Sequence, residues 1–318
     1  MVAAPGFEAI KAARARITGS VRRTPVLRSD FLDEALRAQL YFKCENLQVT
    51  GAFKARGAFN AVLNLPPEQA ARGVVTHSSG NHGAALALAA RTRGIAAYVV
   101  APRTTPASKQ QNMLRFGATL QLCEPTQAAR QAAAEEVMAA TGATLIHPFD
   151  NTDVMAGQGT VALELLEQAR ELTAIVCPIG GGGLISGVAV AAHGMNQRIA
   201  VLGAEPAGAD DAERSRRAGV ITPVAQPSSM ADGLLATIAP STFEVIRTQV
   251  QGVGSASEAQ IVAAMRLIWE ELKIIVEASS AVPLAALLNG SLSVAGQRVG
   301  IILTGGNVDL QRLPWQQD

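Results

Sequence analysis

Short apolar runs alternate with longer stretches of helical period along this chain, and no other feature restricts its fold as strongly. The strand-like runs are "GVVTHS" (73–78), "AAYVVAP" (96–102), "AIVCPIG" (174–180), "IAVLGAE" (199–205) and "VGIILTGG" (299–306). Helical periodicity covers 83–93, 107–116, 126–140, 157–169, 184–193 and 257–272. Apolar strands separated by helices predict βαβ units, hence α/β architecture with parallel sheets flanked by helices. Almost every run ends in Gly, Ser, Thr or Asn. Open parallel sheets bind ligands at the carboxyl ends of their strands, so these polar clusters are expected to meet at one site. The stretch "MVAAPGFEAIKAARARI" carries Glu8 early and lacks an apolar core, so it reads as an amphipathic helix rather than a signal peptide.

Composition removes several functional classes. The 318 residues are 48% hydrophobic, enough for the core of one or two domains. Lys+Arg 27 against Asp+Glu 26 leaves a net charge of +1, so no basic field exists to attract nucleic acid. An aromatic content of 4% argues against base-stacking platforms. No apolar run reaches membrane-spanning length, so no membrane partner is expected. Cys44, Cys123 and Cys177 are far apart and form no CxxC, which fits a reducing, cytoplasmic setting. A shift at "LIHPFD" (145–150) reads as a crossing between domains.

Lys54 stands in "VTGAFKARGAFNAV" (49–62), flanked by small and apolar residues with Arg56 two positions on. Desolvation and a nearby positive charge both favour the neutral amine. A neutral lysine amine is a nucleophile toward carbonyl cofactors. The alternative is a helix start whose lysine snorkels to water.

Three glycine-bearing turns bear on the choice. "THSSGNHGAALALAA" (76–90) follows a strand and opens a helix, where backbone N–H groups, serine hydroxyls and Asn81 suit a carboxylate or other anion. An ordinary helix cap is the competing explanation. "PIGGGGLISG" (178–187) sets four glycines between a strand and a helix, more than a plain turn needs. Converging N–H groups there favour a phosphate, and the absence of GxGxxG and of a Walker A lysine disfavours a nucleotide. "IILTGGNVD" (301–309) delivers the Thr304 hydroxyl at a strand end, able to meet a ring nitrogen. An aldehyde-reactive lysine, a phosphate cradle and a ring-nitrogen partner together describe a site for pyridoxal phosphate.

At this point the sequence resembles the fold-type II pyridoxal-phosphate enzymes, in particular the threonine/serine dehydratase and serine racemase family. The resemblance runs from "RRTPVL" (22–27) to "TGGNVDL" (304–310), with "TGAFKARGA", "SSGNHG", "AGQGT" (156–160), "GGGG" and "GGNVD" in order. It implies two domains, each an open, mostly parallel sheet flanked by helices, as in tryptophan synthase β. A large domain would comprise 1–70 and 148–318, and a small mobile domain 71–147. By motif, Lys54 would form the Schiff base, Phe53 would pack beside the ring and Asn81 would bond the ring hydroxyl. Gly180, Gly181, Gly182 and Gly183 would hold the phosphate, and Thr304, where serine is commoner, would contact the pyridine nitrogen. Ser78, Ser79, Asn81 and His82 would hold the substrate α-carboxylate. Ser79 is also similar to the second-face acid/base of racemases, and Arg130 in "CEPTQAAR" (123–130) matches a racemase arginine near the substrate carboxylate. "GAEPAGADD" (203–211) resembles the family's divalent-cation loop, in which Glu205, Ala209 and Asp211 would offer hard oxygens to Mg²⁺ or Ca²⁺. A homodimer and a small-molecule amino-acid substrate are implied as well.

The expected activity is a dehydratase, an ammonia-lyase taking water from a 3-hydroxy amino acid to give a 2-oxo acid and ammonia. Threonine or serine is the family default; Arg130 would suit 3-hydroxyaspartate, and phenylserine stays open. Lys54 would serve as general base at Cα. The alternatives are a serine/aspartate-type racemase using Lys54 and Ser79, or a β-replacement synthase. Phe149 departs from the racemase asparagine and matches the dehydratase "PF".

Overall fold

The computed structural model describes residues 2–78 and 80–316. Ten strands are described: β1 (Val26–Leu27), β2 (Gln39–Cys44), β3 (Val74–His77), β4 (Ala97–Pro102), β5 (Thr119–Cys123), β6 (Thr144–Leu145), β7 (Ala174–Pro178), β8 (Ala200–Pro206), β9 (Gly252–Ala256) and β10 (Arg298–Leu303). They form a six-stranded sheet ordered β1-β2-β10-β7-β8-β9 and a four-stranded sheet ordered β5-β4-β3-β6. All pairings are parallel except that of β1 with β2 at the edge. The α/β class expected from the alternation is the one found.

The expected strands all form, in β3, β4, β7, β8 and β10. Five others escaped the apolar criterion for visible reasons. β1 and β6 are two residues long, β9 reads "GVGSA", β5 "TLQLC" is partly solvated, and β2 "QLYFKC" carries a lysine. Helix limits follow capping chemistry. Thr126 accepts the Ala129 N–H at the head of Gln127–Thr141, and Gly142, at φ 71°, ends it. Asn151 accepts from Val154 N at 3.0 Å to start Thr152–Gln168.

Apolar layers cover both faces of both sheets. One face of the large sheet packs Glu258–Leu272 and Ala278–Leu288, through Ile268, Val282 and Leu284. The other packs Phe7–Ile17, Thr152–Gln168 and Gly183–Met195, through Ile10, Leu165 and Val188. A third cluster joins Ala55, Ala58 and Phe59 of helix Lys54–Asn64 to Leu86 and Val99 beside the small sheet. That helix therefore lies between the two sheets, with its N-terminus at the carboxyl end of β10. Among the described residues no helix is long and apolar enough to cross a membrane.

Candidate active site

Lys54 is the first residue of its helix, and the end of β10 fixes that start. Phe53 N donates to Thr304 O at 2.9 Å, Ala52 bridges Gly305, and Gly306 N donates to Gly51 O at 2.9 Å. Gly51 has φ +74°, and a Cβ there would lie 2.4 Å from Asn307 Oδ1, so glycine is required on both counts. The Lys54 ammonium donates to Pro148 O at 2.9 Å and lies 5.1 Å from the Phe53 ring centroid. Burial lowers its pKa to about 8.

Arg56 does not contribute to that shift as the sequence reading expected. It is fully buried and bonds Glu45 and Glu164 at 2.8 Å, with Lys43 at 2.7 Å from Glu164. Residues two apart on a helix point to opposite sides, so Lys54 faces the cleft and Arg56 the interior.

The four glycines occupy the turn between β7 and helix Gly183–Met195, whose N-terminal amides carry partial positive charge. Backbone crowding adds a reason for them. A Cβ on Gly181 would sit 2.4 Å from the Phe149 ring, and one on Gly183 2.8 Å from Phe149 Cβ. Gly182 has φ +85° and faces Thr242, which donates to Gly181 O at 2.9 Å. Bare amides at a helix start, with no side chain able to enter, suit a phosphate.

Thr304 is buried with its hydroxyl 3.1 Å from Ser280 Oγ, which also bonds Gly305 N and O at 2.8 and 2.7 Å. Asn81 begins helix Asn81–Arg93 and is held from both sides. Its Nδ2 donates to Glu277 Oε1 at 2.8 Å, and its Oδ1 accepts from Asn307 Nδ2 at 2.8 Å. Burial raises Glu277 to about 7. Ser78 Oγ accepts from Gly80 N and Gly83 N at 3.4 and 3.3 Å. The His82 ring is buried and donates from Nε2 to Ile146 O at 3.2 Å. Ser79 lies outside the described residues.

Arg130 lies in the first turn of helix Gln127–Thr141, and burial, with the Arg130 charge adding to it, lowers the pKa of His77 at the end of β3. The His77 ring lies edge-on to His147 at 5.1 Å, and His147 to Phe149 at 4.6 Å. The Arg130 Nε is buried and has no hydrogen-bond partner among the described residues.

Glu205 is buried at the end of β8, accepting from Ala212 N and Glu213 N at 2.9 Å, and Asp211 accepts from Ile238 N at 2.9 Å. Burial raises Glu205 to about 8 and raises Asp211 too. Among the described residues no group of three His, Cys, Asp or Glu side chains gathers around one point. The set is two carboxylates plus the Ala209 carbonyl.

Sequence reasoning passed over Glu277, Ser280, Asn307 and His147. Asn307 and His147 stand in stretches whose neighbours drew notice, "GGNVD" and "LIHPFD". The polar pair Ser279–Ser280 within an otherwise apolar helix was the available signal.

Lysine, glycine loop, hydroxyl and amide define a pyridoxal-phosphate site. A family model described as pyridoxal-phosphate dependent enzyme matches residues 17–305, and the chain belongs to that family. A β-hydroxyaspartate dehydratase from Paracoccus denitrificans (strain Pd 1222) is 49% identical over 311 residues, covering 98% of this chain and 99% of its own. A serine racemase from Arabidopsis thaliana is 48% identical over 309 residues, 96% of this chain and 93% of its own. The structure of maize serine racemase matches with TM-score 0.95 at 46% identity, over 98% of this chain and 96% of that one. The crystal structure of the T.th. threonine deaminase matches with TM-score 0.90 at 39% identity, over 96% of this chain and 99% of that one. The fold-type II resemblance drawn from the motifs is borne out.

Proposed function

We propose that the chain removes water from a 3-hydroxy amino acid, releasing a 2-oxo acid and ammonia, with 3-hydroxyaspartate as the preferred substrate. The observation that carries the reading is the Lys54 amine, desolvated to a pKa of about 8 and parked on Pro148 O beside the glycine loop. Similarity to the Paracoccus dehydratase supports the reaction and the substrate.

The residues present fit pyridoxal phosphate, which when bound supplies a carbonyl for amines and a sink for electrons released at Cα. Amides of Gly180 to Gly183 bind the phosphate, and Phe53 and Phe149 pack at the walls. Thr304, backed by Ser280, gives the ring nitrogen a neutral hydroxyl rather than an acid, which favours prompt loss of the β-substituent. Asn81, locked by Glu277 and Asn307, would hold the ring hydroxyl through its amide. Lys54, uncharged in a useful fraction near neutral pH, takes the Cα proton. Ser78, Ser79 and the amides of Asn81 and His82 seat the α-carboxylate. Arg130, with His77 beside it, pairs with the second carboxylate of 3-hydroxyaspartate.

Glu205, Asp211 and the Ala209 carbonyl would suit Mg²⁺ or Ca²⁺, since both carboxylates are desolvated, Asp211 adds to the charge cost of Glu205, and neither is salt-bridged among the described residues. The segment 71–147, which contains the four-stranded sheet, is read as the part that closes on substrate, with Lys109 paired to Asp232 across the cleft. A cytoplasmic homodimer completes the reading, supported by buried free cysteines and by exposed Leu47, Ile275 and Leu310.

The test compares kcat/KM for 3-hydroxyaspartate, serine and threonine by assay of oxo acid and ammonia. Arg130→Ala is expected to lose about 100-fold on 3-hydroxyaspartate alone, the scale of a charge-assisted hydrogen bond. Equal losses on all three substrates would remove Arg130 from side-chain recognition. Absence of oxo acid with any of them, alongside inversion of serine on chiral analysis, would replace the dehydratase by a racemase.

A further inference from the structure

His147 stands immediately before the carbonyl that holds the reactive lysine. Its Nδ1 accepts two backbone N–H groups, from Asp150 at 2.9 Å and from Phe149 at 3.4 Å. Nδ1 is therefore unprotonated and the ring hydrogen sits on Nε2. Among the described residues no peptide bond is cis. In a planar trans peptide the N–H and C=O point in opposite directions. The Phe149 N–H and the Pro148 C=O belong to one such peptide. Turning that N–H toward His147 turns the carbonyl away from it, toward Lys54 Nζ at 2.9 Å. The same turn lays the Phe149 ring within 2.4 Å of where a Gly181 Cβ would stand, closing the glycine loop to side chains.

We propose that His147 is the positioning residue of this site: its imidazole Nδ1 fixes the Pro148–Phe149 peptide and so aims the carbonyl at Lys54 and the Phe149 ring at the glycine loop. Among the described residues no other side chain accepts the Phe149 or Asp150 N–H; Ser241 Oγ donates instead to the Asp150 carboxylate. The rings of His77 and Phe149 hold the imidazole edge-on from either side, so its orientation is set by packing and not by substrate. Burial beside His77 keeps His147 neutral, with a pKa of about 4, and the acceptor is retained across the neutral range. The inference rests on Lys54 as the reactive lysine but needs no particular substrate.

Two replacements separate capping from stacking. His147→Phe keeps an aromatic ring between His77 and Phe149 but has no acceptor. His147→Asn loses the ring, yet its Oδ1 can accept the N–H groups two and three residues on, as in an Asx turn. The full-length chain is stripped of cofactor, and Lys54 is labelled with an amine reagent across pH and read by mass spectrometry. Pyridoxal phosphate is then titrated back and followed by visible absorbance. With His147→Phe the labelling midpoint is expected to fall by about one pH unit, because the still-buried ammonium loses the carbonyl it donates to. Its Kd for pyridoxal phosphate is expected to rise about tenfold, the scale of one net hydrogen bond. With His147→Asn both are expected to stay within about twofold of wild type. A Phe variant that matches wild type, or an Asn variant as impaired as the Phe variant, overturns the proposal. A far-ultraviolet spectrum and melting curve accompany each protein, and if His147→Phe does not fold, His147→Leu replaces it with the same expectation. Neither readout depends on turnover, so a failed dehydratase assay leaves this result standing.

Discussion

At the scale of single residues, two lysines show that burial alone does not set reactivity. Lys43 and Lys54 are both desolvated, and both have lowered pKa values. Lys43 has Glu164 at 2.7 Å and the Thr24 carbonyl at 2.8 Å, so its charge is neutralised in place. Among the described residues Lys54 bonds one carbonyl and pairs with no acid. The uptake of pyridoxal phosphate by the apoprotein should therefore rise with pH through a midpoint of about 8 and level about one unit above it, because the attacking form is the neutral amine, which is half populated at its pKa. An uptake rate still climbing at pH of about 9.5 in stopped-flow absorbance would mean an ordinary lysine, whose pKa is about 10.4. The neighbouring carboxylates obey the opposite sign. Burial raises Glu277 to about 7, and it is kept useful by the Asn81 amide it accepts from.

At the scale of elements, the site depends on how closely helices Thr152–Gln168 and Gly183–Met195 approach. A Cβ on Gly187 would lie 2.3 Å from Met155 O and 2.6 Å from Gly159 N. One on Gly157 would lie 2.5 Å from Arg56 O, in the helix that carries Lys54. Glycines at these crossings bring the phosphate loop, the Phe149 turn and the lysine helix within reach of one ligand. Gly187→Ala should cost about 1–3 kcal/mol by overpacking. The melting temperature should fall by several degrees, with cofactor affinity reduced because the helix start is displaced. An unchanged melting temperature would show that the helices can separate freely, against the close-packed picture. The strand ends act together in a similar way. β7 and β10 run parallel in register, Val176 opposite Ile301, so the glycine loop and Thr304 emerge on the same edge.

At the scale of the whole molecule, buried charge ties distant segments together. Arg56, Glu45, Glu164 and Lys43 connect the lysine helix, β2 and helix Thr152–Gln168 in one balanced cluster. Each charge is buried with its counterpart, and removing one would strand the others. Glu205 and Asp211 are the unbalanced case. They join β8, helix Asp211–Ala218 and the Ile238 segment, and no cationic side chain is salt-bridged to either of them among the described residues. Adding Mg²⁺ or Ca²⁺ should raise the melting temperature of wild type, since a ligand of the native state stabilises it by mass action. Chelator should reverse the rise, and Glu205→Gln should show none. Equal rises in wild type and variant would place the cation elsewhere.

Sequence alone determined the α/β class and singled out Lys54, because local signals report local physics. Apolar runs of strand length, helical period between them and a tetraglycine turn each state a requirement that holds whatever the neighbours do. The same is true of Lys54 among small residues, which must meet something flat. Partners far apart in the chain were decided by tertiary structure only. Arg56 looked like a second charge beside Lys54, and packing sent it to Glu164, more than a hundred residues away. Glu277 and Asn307 carried no local mark of their role, yet they hold Asn81. His147 was one polar residue in "LIHPFD" until the fold set it between two rings with its Nδ1 on the turn that faces the lysine. Hydrogen bonds and burial are properties of assembled surfaces. The chain specifies them jointly, through the topology that brings the ends of β3, β7 and β10 together with the starts of helices Lys54–Asn64, Asn81–Arg93 and Gly183–Met195.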